Sequence, residues 1–434
     1  MIVNRTSQTP LYKQIAEHYK KRIMNQEIEK HTKMPSIRSL SQKHNISKTT
    51  IEKAYHQLQI EGYIHSQPKS GYYVSPTDVI KKTHQTKSLP TYQPSTYINL
   101  EQRPDFFDIT PLRKIFQHIM HDYQDTLFDT PKAEGEYPLR QMIQKHLEAE
   151  RGVVTSPAQI IIASGIQNHL LTLASLTDKK SVAYLVPLFD RAETTFDILN
   201  FKKLPCTSID QILDNKPDFI YISPANLYPS GEVLSINDRI KLINYTKSNN
   251  AYIIEDDYNY IFRYNAYQIP SIQSLAKGQN VIYIGSFSRN LLLSIRTSYM
   301  VLPETLYKKY QSSPKLAQTV SKIDQLALAD YIKQGHYTKH LKKLSTLSKR
   351  QRDTLIEQLN TLPINKNITI TGLDSNLHIL IHSNDQKTLQ SIVEKAQKNH
   401  YYTKTFKALN NTILLPYSGL NETDLKSMLL TLLT

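Results

Sequence analysis

Two stretches of this chain concentrate side chains able to do chemistry. One runs Gly285-Ser286-Phe-Ser288-Arg289, followed seven residues later by Arg296. Its hydroxyls and guanidiniums are donors suited to anions, and a guanidinium can form a forked bond to a carboxylate or phosphate. Arg289 stays protonated at any physiological pH and is a very poor nucleophile. The other stretch is Ser47-Lys48-Thr49-Thr50, with Lys53 one turn on, a run of small polar and basic side chains. Such donors suit phosphates and base edges. A third group, Glu255-Asp256-Asp257, closes an apolar run. Cys206 is the single cysteine, so neither an intramolecular disulfide nor a cysteine-cluster metal site is expected.

Apolar spacing supplies the elements that must position these groups. Leu11, Ile15, Tyr19 and Ile23 predict a first helix. Ser36 reads as N-cap of a second, with Ile37 and Leu40 inward and Asn45 as its left-handed stop. Ser47 caps a third, burying Ile51, Ala54, Tyr55 and Leu58 and leaving Lys48, Thr49, Thr50 and Lys53 outside. Two short helices and a tight turn match a helix-turn-helix. Period-2 segments at 63–66 and 72–74 then predict a hairpin with a Lys69-Ser-Gly71 tip, the wing of a winged helix. Residues 75–98 are polar and proline-containing without apolar periodicity, which reads as a linker between domains 1–74 and 99–434. Beyond it helical and apolar strand patterns alternate, with strands at 182–186, 219–223, 252–255 and 281–285, as in an α/β domain with a largely parallel sheet.

With 434 residues, two or more domains are the default. A hydrophobic fraction of 39% with mixed charge is that of a soluble globular chain. No apolar run reaches membrane-spanning length and the N-terminus lacks a secretory core, so no membrane association and a cytoplasmic location are expected. Of the net charge of +15, residues 1–100 carry +9, from 15 Lys and Arg against 6 Asp and Glu. A basic first quarter suits a polyanion.

The first eighty residues resemble the GntR-type winged helix, carried by Pro10-Leu-Tyr-Lys-Gln-Ile15, Pro35-Ser-Ile-Arg38, Ser47-Lys-Thr-Thr50, Ala54-Tyr55, Leu58, Glu61-Gly62-Tyr-Ile64 and Ser70-Gly71. Gln26, His31 and Lys69 stand where that pattern usually has glycine. The resemblance implies that Arg38, Ser47, Lys48, Thr49, Thr50, Lys53, Lys69 and Gly71 form the surface for a double-stranded DNA operator, with Arg38 and Lys69 toward phosphates and the Lys48 to Thr50 run toward the major groove. Capping of the third helix is the alternative role of Thr49 or Thr50.

The remaining 330 or so residues resemble fold-type I aminotransferases, through Tyr137-Pro-Leu-Arg140, Ser164-Gly-Ile-Gln167, Pro229-Ser-Gly231, Glu255-Asp-Asp-Tyr258, Ser286-Phe-Ser-Arg289 and Arg296. The two parts together look like the MocR subfamily of GntR-type regulators, a winged helix-turn-helix joined to an α/β aminotransferase-like domain with a mostly parallel sheet. In that family a lysine at the position of Arg289 anchors pyridoxal phosphate (PLP) as a Schiff base. By resemblance, Gly165, Ile166, Ser286, Ser288 and Arg296 form a phosphate cup, Asp256 pairs with the ring nitrogen, Tyr228 and Tyr258 reach its phenolic oxygen, and Phe189 stacks on it. Leu414 falls where an arginine normally grips the substrate carboxylate.

The resemblance therefore implies a homodimeric DNA-binding regulator with a small-molecule effector and a catalytically silent large domain. No covalent cofactor and no catalytic residue are expected. Non-covalent binding of PLP or another phosphorylated ligand is one alternative, and an active PLP-dependent aminotransferase is another. Arg289 is expected to reach into the cofactor space and pair with Asp256 or Tyr258, or else to turn to solvent or hold an anion with Arg296.

Overall fold

The N-terminal helices form where apolar residues recur every three or four positions. In a computed structural model describing residues 9–76, 104–264, 269–374 and 377–434, α1 (Leu11–Met24), α2 (Ile37–His44) and α3 (Lys48–Ile60) enclose a small core. Ser36 and Ser47 accept from the amides of Ser39 and Thr50, and Asn45 closes α2 at φ 50°. Ile51, Ala54, Tyr55 and Leu58 are fully buried, and the Tyr55 hydroxyl donates to the Pro35 carbonyl at 2.8 Å. Strands β1 (Ile64–Gln67) and β2 (Gly71–Val74) pair antiparallel as the wing. Gln26, His31 and Lys69 adopt φ of 60°, 62° and 63°. The chain thus keeps a glycine-like backbone at three positions where side chains make that conformation costly, by about 1 kcal/mol each.

Contacts divide the chain into units of residues 1–93 and 94–434. From 77 onward the expected linker lies outside the described residues. In the second unit α4 (Thr110–Asp122) and α5 (Tyr137–Arg151) precede β3 (Ile160–Ala163), α6 (Ile166–Leu176), β4 (Ser181–Leu185), α7 (Asp190–Ile198), β5 (Lys202–Cys206), α8 (Ile209–Asp214) and β6 (Phe219–Ile222). Then come α9 (Ile236–Asn249), β7 (Tyr252–Asp256), α10 (Ile272–Leu275), β8 (Val281–Ser286), β9 (Ser298–Val301), α11 (Glu304–Ser312) and α12 (Lys322–Lys333).

These strands form a seven-stranded sheet in the order β3-β9-β8-β7-β6-β4-β5, parallel from β8 to β5 and antiparallel at β9. Helices cover both faces. Ile220, Ile253 and Val281 pack with Ile212, Leu242 and Ile272, while Tyr221, Ile254 and Ile282 pack with Leu170, Phe196 and Leu306. Burial on both sides explains why the strands read as unbroken apolar runs. The long helix α13 (His336–Thr361) leads to a second sheet, order β10-β11-β13-β12, built from β10 (Thr369–Thr371), β11 (His378–His382), β12 (Lys404–Phe406) and β13 (Leu409–Pro416). Helices α14 (Gln386–Lys398) and α15 (Glu422–Leu433) back it.

Candidate functional site

In an open parallel sheet, ligands sit at the carboxyl ends of the strands. A cavity of about 430 Å³ lies there, lined from the ends of β4, β6, β7 and β8 and walled by residues of β11, β12 and β13. Gly165 caps α6 at φ 90°, a conformation that suits glycine. Its amide donates to Ser298 Oγ at 2.8 Å, and that hydroxyl donates its single proton to the Ala163 carbonyl at 2.8 Å. His169 Nε2, 2.9 Å away, must therefore be the donor to the same oxygen. Burial lowers the His169 pKa to about 3, so the ring is neutral. This network fixes the first turn of α6, whose Gly165, Ile166 and Gln167 line the cavity.

Arg296 lies over Gly165 so closely that a Cβ there would be 2.9 Å from its Nη2. Partial burial and the charge of Arg191 both hold the Arg296 pKa down. Ser286 Oγ accepts from the Ser288 amide at 3.2 Å and keeps its own proton to donate. Ser288 differs, since its hydroxyl donates to the Ile295 carbonyl at 2.5 Å and closes the loop that carries Arg296. Helix amides, a hydroxyl and two guanidiniums can hold a phosphate or similar anion.

The opposite wall carries Asp256, at the end of β7 and buried. Its carboxylate accepts from the Tyr221 hydroxyl. Period-2 geometry explains the pairing: Tyr221 on β6 lies opposite Ile254, so Tyr221 and Asp256 emerge on one face of adjacent strands. Burial raises the Asp256 pKa to about 6, opposed by the Tyr221 hydrogen bond, reinforced by Asp257 and opposed again by the Arg289 charge. Below about pH 4 the folded and unfolded chains both hold this proton, so Asp256 contributes nothing. Between about pH 4 and 6 only the fold holds it, and stability declines as pH rises until the loss is complete. Asp256→Asn is therefore expected to exceed the parent in stability near neutral pH by up to about 3 kcal/mol. Denaturant titrations of both chains should find that difference gone below about pH 4.

Arg289 lies with its guanidinium 5.7 Å from the centre of the Tyr258 ring. Its contact with Tyr258 is thus through the ring face, while the Tyr258 hydroxyl lies 3.5 Å from Asn226 Oδ1. Its charge acts on Asp256 through space, whereas the hydrogen bond comes from Tyr221. Tyr221 carried no sequence signal, because only the strand register brings it to Asp256.

Phe189 and Tyr228 meet edge-on, 5.9 Å between ring centres. Leu414 is buried on β13 and lines the cavity beside Pro416. Directly opposite it on β12 stands Lys404, which the sequence did not single out. Lys404 Nζ donates to Tyr228 Oη at 2.8 Å and to Asp190 Oδ2 at 2.6 Å. Burial pulls the Lys404 pKa down, but the bonds and charges of Asp190 and Tyr228 outweigh it, and the net shift is upward. Nearby, His378 Nε2 donates to the Pro229 carbonyl at 2.8 Å and burial lowers its pKa to about 4, leaving it neutral.

In the N-terminal unit, Arg38, Lys48, Thr49, Lys53, Lys69 and Gly71 are exposed. Thr50 is half-buried, its hydroxyl 2.7 Å from Ser47 Oγ, and the Thr49 hydroxyl lies 3.1 Å from the same oxygen. The capping role thus engages both threonines, more tightly at Thr50.

Residues 11–74 match the family described as bacterial regulatory proteins, gntR family, and residues 103–409 match aminotransferase class I and II. Two HTH-type transcriptional regulators of Bacillus subtilis, YdeL and YhdI, both called uncharacterized, are each 31% identical over 98% of this chain, covering 96% and 95% of their own lengths. A probable rhizopine catabolism regulatory protein, MocR of Rhizobium meliloti, is 26% identical over 81% of this chain and 78% of its own. Among solved structures, an archaeal alanine:glyoxylate aminotransferase overlays with a TM-score of 0.69 at 20% identity, covering 79% of this chain and 90% of that one. Pyrococcus horikoshii kynurenine aminotransferase gives 0.67 at 21%, covering 79% and 90%. These likenesses establish the fold of the second unit. With a gntR-type winged helix and an aminotransferase class I and II domain in one chain, and relatives along its whole length named as regulators, the protein belongs to the MocR subfamily of DNA-binding transcription regulators.

Proposed function

We propose that the large domain of this regulator is catalytically silent and serves as a ligand sensor, with DNA binding left to residues 1–74. The single observation that carries this reading is the cavity lining: it includes Arg289, and Lys404 is the sole lysine among the described lining residues. The Lys404 ammonium is held protonated by Asp190 and Tyr228, which removes the lone pair that carbonyl attack requires.

The phosphate end fits PLP without a covalent bond, through the first turn of α6, Ser286 and Arg296. When bound, PLP would supply an electron-withdrawing pyridine ring and an aldehyde. Asp256 would face the ring nitrogen, but Tyr221 already donates to it. Ligand occupancy would exclude water around Asp256 and orient Tyr228, Tyr258 and Phe189 about the guest. The rival reading, a working aminotransferase, requires an amine that this lining lacks in uncharged form. Titration calorimetry with PLP and pyridoxamine phosphate tests the sensor reading. Binding of either, with bound PLP keeping its free-aldehyde absorbance, supports it, whereas turnover of an amino acid overturns it.

For the DNA surface, the residues assigned are Arg38, Ser47, Lys48, Thr49, Thr50, Lys53, Lys69 and the wing turn at Gly71, all exposed except the half-buried Thr50. Lys69→Gly is the cleaner test than alanine, because the turn keeps φ of 63° there. Lys48→Ala and Lys69→Gly are each expected to weaken duplex binding and to lower the salt slope by about one unit. Fluorescence anisotropy across a salt series on DNA from the chain's own upstream region measures both. Unchanged slopes in both variants would remove these residues from the interface.

A cytoplasmic homodimer completes the proposal. Among the described residues no helix is long and apolar enough to cross a membrane. Ile109, Met120, Tyr123 and Phe128 expose apolar surface around α4, with Phe128 92% exposed, which supports a covered face. Phe128→Asp is expected to shift sedimentation toward the monomer.

A further inference from the structure

We propose that Lys404 Nζ and the Tyr228 hydroxyl form a carboxylate-binding subsite, and that the effector is a small carboxylic acid with an apolar body. The inference rests on the sensor reading above and names its ligand class. Leu414 and Lys404 are cross-strand partners, so their side chains stand on one face of the β12–β13 pair. A leucine cannot hold a carboxylate, but the neighbouring strand delivers an ammonium to the same wall of the cavity.

The hydrogen bonds define what that ammonium can accept. Lys404 has three donors, two of them used on Tyr228 Oη and Asp190 Oδ2. Tyr228 accepts that bond and so keeps its own proton to donate. One N–H and one O–H, 2.8 Å apart at their heavy atoms on residues that line the same cavity, are enough donors for the two oxygens of a carboxylate. Asp190 already presents a carboxylate to Lys404, yet it is exposed on 66% of its side chain, while Lys404 is exposed on 16%. A pair with one partner in water is weak. A ligand carboxylate entering from the cavity side competes with the exposed Asp190 for the same ammonium, with less water around it.

Charge points the same way. Among the described lining residues, Arg191, Arg289, Arg296 and Lys404 face only two carboxylates, Asp190 and Asp256. Asp256 is ionised near neutral pH and still leaves the cations in excess. An anionic guest offsets it. Leu293, Leu377, Leu414 and Phe189 supply the apolar wall for its body.

The test uses full-length protein and saturation-transfer NMR with phenylacetate, benzoate and hexanoate, each beside its uncharged primary amide. Wild type is expected to bind at least one acid about tenfold or more tightly than its amide, the scale of one charged hydrogen bond. Lys404→Met and Tyr228→Phe are expected to lose that preference, and Asp190→Asn to retain or strengthen it. Equal binding of acid and amide by wild type, or an acid preference that survives in Lys404→Met, overturns the subsite, as does the absence of binding by every acid. Thermal melts of each variant separate lost binding from lost folding, and Tyr228→Phe decides the matter where Lys404→Met does not fold. Operator binding measured in parallel separates the two claims. Intact DNA binding with no acid preference sinks the subsite alone, whereas amino-acid turnover by wild type sinks the sensor reading beneath it.

Discussion

Arg289→Lys is expected to turn a chain that borohydride leaves unlabelled in the presence of PLP into one that gains about one phosphopyridoxyl group per chain. The physical difference is a lone pair. A guanidinium does not release its proton at any working pH, whereas a lysine amine beside a cationic rim loses its proton more readily and can attack an aldehyde with loss of water. The proposed phosphate end needs no other change, because the first turn of α6, Ser286 and Arg296 line the same cavity as position 289. Peptide mass spectrometry after reduction reads the outcome directly. The expected adduct maps to position 289 in the variant and is absent from wild type. A wild-type adduct at Lys404, the lysine that lines the cavity, would show that its ammonium is not held protonated as its contacts with Asp190 and Tyr228 indicate.

Arg151→Met is expected to cost about 3–5 kcal/mol of folding stability, the usual result of stranding a buried charge. Arg151 Nε donates to Asp257 Oδ2 at 2.7 Å, and both side chains are almost wholly buried. The Tyr283 hydroxyl donates to the same oxygen at 2.7 Å. Loss of the guanidinium leaves a carboxylate in the core with one neutral donor as partner. Urea titration measures the loss. The double variant Arg151→Met/Asp257→Leu should recover much of it, because the expensive species is the single unmatched charge. If the single variant unfolds at the parent's urea midpoint, the pair does not support the β7 end that carries Asp256.

The winged helix was almost wholly legible in the sequence, and the reason is locality. Ser36, Asn45 and Ser47 act within one helical turn of themselves, and Ile51, Ala54, Tyr55 and Leu58 mark the buried face of α3 by their spacing. Even the three left-handed positions at Gln26, His31 and Lys69 coincide with expected glycines. The parallel strands were legible for a related reason, since burial on both faces makes each an unbroken apolar run. The identity of Arg289 is likewise a matter of sequence alone, and it settles that no lysine amine exists at that position.

What the side chains around Arg289 do was decided only in three dimensions. Tyr221 reaches Asp256 because β6 and β7 pair in one particular register, 35 residues apart in the chain. Lys404 reaches Tyr228 across 176 residues, and faces Leu414 only through the β12–β13 pairing. The hydroxyl of Ser288, which the family resemblance assigned to a phosphate cup, donates to the Ile295 carbonyl and closes a loop. Local sequence determines which elements form and which residue types they carry. Sheet register and loop closure determine which of those residues meet, because a shift of one position moves every side chain of a strand to the other face.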